Sequence, residues 1–64
     1  MSSTAIPGPA LRALRDARDD ERAGRIGMAI EKYQGAIDAA IAAADAPTQS
    51  EALRRLAVAM HRQL

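Results

Sequence analysis

No cysteine occurs anywhere in the chain, so a disulfide frame and a Cys-built zinc site are both excluded. Phenylalanine and tryptophan are absent too, and Tyr33 is the lone aromatic residue. Core volume must therefore come from aliphatic side chains and one phenol ring. No apolar run approaches the ~18 residues that a membrane span requires. The start of the chain lacks the charged-then-apolar pattern of a secretory signal, so a cytoplasmic setting is the expectation. Charge of one sign is missing as well: the formal net charge is +1 with 27% charged residues, which leaves no polybasic or polyacidic field. His61 is the only histidine, and no cysteine or nearby serine can act as its nucleophile. Gly24 and Gly27 lack the preceding strand and the lysine of a phosphate loop. Asp19, Asp20 and Glu21 are adjacent, so on a helix they radiate and do not converge on a metal. The expectation is a protein without catalysis, cofactor, metal or small-molecule substrate.

What the chain does have is alanine: sixteen of its 64 residues. A chain of this length sits near the limit at which one core suffices. The candidate core residues are Leu11, Leu14, Ile26, Ile30, Tyr33, Ile37, Ile41, Leu53, Leu56, Met60 and Leu64. Each contributes ~1.5–3 kcal/mol when fully buried, against ~1–2 kcal/mol of backbone entropy for every residue ordered. That balance predicts marginal stability, raised by a partner or by self-association.

Periodicity predicts an all-α, antiparallel three-helix bundle. Residues 1–9, with two prolines around a glycine, read as a flexible leader; residues 10–64 read as a single domain. The first helix is expected over 10–23, on a thin apolar stripe of Ala10, Leu14 and Ala17, flanked by dense charge. Arg15–Asp19 and Glu21–Arg25 fall at i,i+4 spacing, worth ~0.2–0.5 kcal/mol each. Gly24 ends that helix. The second is expected over 26–45. Ile26, Ile30, Tyr33, Ile37, Ile41 and Ala44 form its bulky stripe, with Ala29, Ala36, Ala40 and Ala43 beside them. Two adjoining stripes predict a central helix that touches two other elements, or touches one and offers a groove to a partner. Pro47 is read as the stop of this helix, and Thr48 with Glu51 as the capping box of a third over 49–63. In the third helix Leu53, Leu56, Ala57, Met60 and Leu64 are expected to face inward, with Val58 off that stripe. His61 falls in the last turn, where a protonated imidazole interacts favourably with the helix dipole.

The spacing Ala17-x5-Ala23-x2-Ile26-x2-Ala29-Ile30-x2-Tyr33-x2-Ala36-Ile37 resembles the first helical hairpin of MIT domains, the microtubule-interacting and trafficking modules. Glu21 stands at the acidic position before the turn. By that resemblance Tyr33 wedges between the first and third helices, and an amphipathic partner helix lies in a groove along the third. The resemblance also implies an adaptor that recruits an attached ATPase, protease or trafficking factor, as the N-terminal domain of a larger protein. Ile26 stands where family members carry Tyr or Phe. The third helix ends "AMHRQL" with Arg54 and Arg55 where the family places acidic residues, which implies a changed partner preference. The same ladder resembles a tetratricopeptide repeat through Gly24, Ala29, Tyr33 and Ala36. A helix running on to Pro47 departs from that pattern, and one repeat alone cannot bury its face.

The expected partner-binding residues are Ala36, Ala40, Ala43, Leu53, Arg54, Ala57, Val58 and His61. The expected partner is a protein or peptide presenting an amphipathic helix. The alternative is self-association or inter-subunit docking through the wide alanine face. Arg54, Arg55 and Arg62 form too small a basic patch to point to nucleic acid.

Overall fold

A computed structural model describes residues 8–64. The reading of residues 1–9 as a leader falls almost wholly outside them. Three helices follow in order: α1 (Pro9–Arg22), α2 (Ile26–Ala42) and α3 (Ala46–Gln63). The architecture is the all-α three-helix bundle, with α2 packed against both neighbours and α1 touching α3 only sparsely. The second helix passes Asp38 without a break. No helix of the described residues is long and apolar enough to cross a membrane.

Each helix begins where its first turn needs least. Pro9 stands at the start of α1, where its fixed φ suits the helix and its missing N–H costs nothing. Two turns of one kind then fold the chain back. At the end of α1, Gly24 adopts φ +86°, Arg25 N–H donates to Asp20 C=O at 2.8 Å, and Gly24 N–H donates to Glu21 C=O at 3.0 Å. The end of α2 repeats this pattern with Ala44 at φ +54° and the pairs Asp45–Ala40 (2.8 Å) and Ala44–Ile41 (3.1 Å). Both are Schellman closures, in which a left-handed residue lets the last carbonyls find donors. The residue after each left-handed position, Arg25 or Asp45, also caps the next helix. A three-residue connection of this kind forces antiparallel neighbours.

Two boundary expectations are corrected. The second helix ends at Ala42, short of the expected Asp45, because the left-handed Ala44 closes it before Pro47 is reached. The third begins at Ala46: Asp45, not Thr48, is its N-cap, and its carboxylate accepts from Thr48 N–H at 3.2 Å. Pro47 fits inside that first turn, where no N–H is required. Thr48 is instead buried against the bundle, and Glu51 turns outward to Arg54 and Arg55.

The core is built mostly of alanine. Ala10, Leu14, Ala17, Ala29, Tyr33, Ala36, Ala40, Ala52 and Ala59 are buried, and Tyr33 is the largest side chain wholly removed from solvent. Leu11, Ala13, Ile26, Ile30, Ile37 and Leu56 pack around them half-buried. Small side chains let the helix backbones approach closely, so little volume is needed to fill the space between them. Four expected core residues are on the surface: Ile41 (56% exposed), Leu53 (48%), Met60 (50%) and Leu64 (99%). The third helix turns Thr48, Ala52 and Ala59 inward, about a third of a turn away from the leucine stripe.

The two left-handed positions make a matched prediction. Gly24→Ala should destabilise by about 1 kcal/mol, because a Cβ there meets no atom within 4 Å and only the positive φ opposes it. Ala44→Gly should stabilise by about 1 kcal/mol, because it removes the same strain. Urea unfolding followed by helical circular dichroism reads both.

Candidate docking surfaces

Charged side chains fix how the helices are rotated, and so decide which faces remain open. Glu21 on α1 is the junction. Tyr33 Oη on α2 donates to its Oε1 at 2.6 Å, and Arg62 Nη1 on α3 donates to its Oε2 at 2.8 Å. One carboxylate therefore ties three helices together. On the other flank of α2, Lys32 Nζ lies 2.7 Å from Asp20 Oδ2 and 3.1 Å from Asp16 Oδ2, both on α1. Arg25 Nε donates to the other oxygen of the buried Asp20 at 2.8 Å. The i,i+4 pairs expected on α1 give way to these links: Glu21 turns to Arg62, and Arg25 to Asp20. A cross-helix partner satisfies groups that the packing has partly removed from water, where the attraction is worth more.

The titration behaviour follows from the geometry. Hydrogen bonds from Lys32 and then Arg25 hold the Asp20 carboxyl below its usual value of 3.8. The Tyr33 hydroxyl, followed by Arg62, holds Glu21 below 4.5. Loss of water, then the Glu21 carboxylate, pushes the Tyr33 phenol up to about 12. Hydrogen bonds to Asp20 and Asp16 raise Lys32 above 10.5.

These links place α1 over one flank of the α2–α3 pair. On α2 the isoleucines Ile30, Ile37 and Ile41 recur at i, i+7 and i+11, on the flank away from Lys32. On α3 the residues Leu53, Met60 and Leu64 recur the same way, on the flank away from Arg62. Because α2 and α3 are antiparallel, the two flanks adjoin on the face that α1 leaves uncovered. Half-buried Ile30, Ile37 and Leu56 join them into one apolar strip.

The residues expected to bind a partner scatter. Ala36 and Ala40 are 0% exposed and fill the seam of the core, so they have no surface to give. Ala43 is exposed in the turn after α2. Leu53 and Ala57 lie on the strip, beside Met60 and Leu64 that were expected inside. Arg54 and His61 share the outer face of α3, with Arg54 bound to Glu51. Val58, 56% exposed, shares the opposite flank with Arg55 and Arg62. The sequence signal for this rotation was the repeat Thr48, Ala52, Ala59, as periodic as the leucines and built of smaller side chains.

No known protein family, characterised protein or solved structure matches the chain.

Two measurements test the junction. Tyr33→Phe keeps the ring and deletes the donor to Glu21, and should cost about 2 kcal/mol of stability in chemical denaturation. The second is a pH scan. The folded values of Asp20 and Glu21 are depressed, so their contribution is complete above 4.5 and disappears as acid protonates the folded groups. The folded values of Tyr33 and Lys32 are raised, so their contributions are complete below 10.0 and 10.5 and fade as pH climbs past those values. With one tyrosine in the chain, tyrosinate absorbance reports directly: its midpoint should lie well above 10.0 in the native protein and return to 10.0 in urea.

Proposed function

We propose that this chain is a non-enzymatic protein-interaction module, which docks an amphipathic helix along α3 on the strip shared with α2. The observation that carries this reading is the exposure of Ile41, Leu53, Met60 and Leu64 on that strip. A small domain ordinarily hides side chains of this size, and a contiguous exposed set marks an interaction surface. From Leu53 to Leu64 the strip runs roughly 16 Å at the helical rise, which suits a partner helix of about three turns. Its rims carry opposite charge, with Asp38 on the α2 side and Arg54 on the α3 side. A partner helix with an apolar stripe, a base on one edge and an acid on the other complements both.

The hairpin ladder from Ala17 to Ile37 supports placing the module among MIT-like adaptors. On that reading it works in the cytoplasm, at the start of a larger protein, and recruits an attached ATPase, protease or trafficking factor to helical tails. In this proposal the groove runs along α3 and is lined by Ile41, Leu53, Ala57 and Met60, since Ala36 and Ala40 are buried.

The test is a titration of the labelled chain with amphipathic peptides about four turns long, read as amide shifts. Shifts should cluster at Ile41, Leu53 and Met60. The double substitution Leu53→Ser, Met60→Ser should weaken binding at least about tenfold, since each loses much of a buried side chain's ~1.5–3 kcal/mol. Shifts elsewhere, or none, would contradict the reading. A concentration-dependent mass in sedimentation, abolished by the same double substitution, would assign the strip to a second copy of the chain.

A further inference from the structure

The strip does not account for the arginines. Arg15, Arg18 and Arg22 recur on α1 at i, i+3 and i+7 and so share a flank; Arg55 and Arg62 do the same on α3. These helices run parallel and meet only sparsely. Between them lies a hollow of about 170 Å³ lined by Arg18, Glu21, Arg22, Arg55 and Arg62. A second hollow of about 200 Å³, lined by Arg15, Arg18, Asp19 and Arg22, shares two of those arginines.

Two of the guanidinium groups are already engaged: Arg55 by Glu51, and Arg62 by Glu21. Among the described residues, Arg15, Arg18 and Arg22 have no carboxylate within 4.0 Å. A chain with a net charge of only +1 thus gathers unpaired cations along one cleft. Five arginines outnumber the two carboxylates, Asp19 and Glu21, that share these walls, so the cleft carries a net positive field that draws an anion.

The chemistry of the walls selects among anions. Bases of a nucleic acid stack on exposed aromatic rings, and the one aromatic residue here, Tyr33, is wholly buried. Val58, exposed one turn from Arg55 and from Arg62, lies at the rim of the hollow outside its lining and offers an apolar contact that a phosphate chain cannot use. Guanidinium groups present paired donors that match a carboxylate. We propose that the cleft between α1 and α3 binds an acidic peptide segment, with carboxylates held by Arg18 and Arg22 and an apolar side chain resting on Val58. This site is separate from the apolar strip and does not depend on it.

The test uses the full chain and a fluorescent peptide of alternating glutamate pairs and leucines, with fluorescence anisotropy as readout. The double substitution Arg18→Gln, Arg22→Gln should weaken binding at least about tenfold, because it removes two charge-assisted contacts. Neither side chain has an ion-pair partner to lose, so the helical signal should be unchanged. Val58→Ser should weaken binding without altering its salt dependence, and Leu53→Ser with Met60→Ser should leave it intact. Three results would overturn the proposal: equal affinity for the glutamine version of the peptide, no effect of Arg18→Gln with Arg22→Gln, or tighter arginine-dependent binding of a single-stranded oligonucleotide or tripolyphosphate.

Discussion

The carboxylate of Glu21 is the constraint from which the arrangement follows. One oxygen receives the Tyr33 hydroxyl and the other receives Arg62, so a single side chain of α1 joins both α2 and α3. Burying a tyrosine ring without a partner for its hydroxyl is costly, and Glu21 supplies that partner. Arg62 reaches the same group from the flank of α3 that lies opposite its leucines. Ala52 and Ala59 face the core, and Leu53, Met60 and Leu64 are left on the far flank. The contact that joins α1 to α3 and the exposed face thus belong to one rotation of α3.

The alanine-rich core makes this arrangement feasible. With one large buried side chain, helices must approach closely or leave voids, and each void costs contacts on its lining. Alanine at 17, 29, 36, 40, 52 and 59 permits that approach at every level along α2. The two Schellman closures turn the chain back on itself and so set the antiparallel polarity of successive helices. Isoleucines of α2 that cannot fit a core this narrow remain half-buried, which is why the strip is continuous across two helices.

Much of the fold was legible because local signals agreed. Pro9 and Gly24 punctuate the chain, and the spacing of isoleucine and alanine through Tyr33 is helical without ambiguity. Ala44 was not legible as the end of α2, since alanine carries no preference for the left-handed conformation it adopts. Asp45 and Thr48 are both good caps three residues apart, and only the buried position of Thr48 decides between them. The rotation of α3 was hidden for a deeper reason. Its leucine stripe and its alanine stripe have the same period, and hydrophobicity favours the wrong one. The rotation observed goes with tertiary contacts such as Glu21 to Arg62, 41 residues apart, and with close packing of Ala52 and Ala59, which no local pattern announces. Of the residues expected to bind a partner, Ala36 and Ala40 lie in the core, Ala43 is exposed in the turn after α2, and those on α3 divide among its faces.

Both surfaces therefore depend on which side of α3 faces the phenol ring. Having a single aromatic residue makes this directly measurable from nuclear Overhauser contacts of the Tyr33 ring protons in the free protein. The expected contact on α3 is to the methyl of Ala59, toward the Glu21 and Arg62 end of the bundle, with those of Leu53 and Met60 silent. Strong contacts from the ring to Leu53 or Met60, with Ala59 silent, would mean that α3 is turned the other way, and the Glu21 junction and both surfaces drawn from it would be wrong.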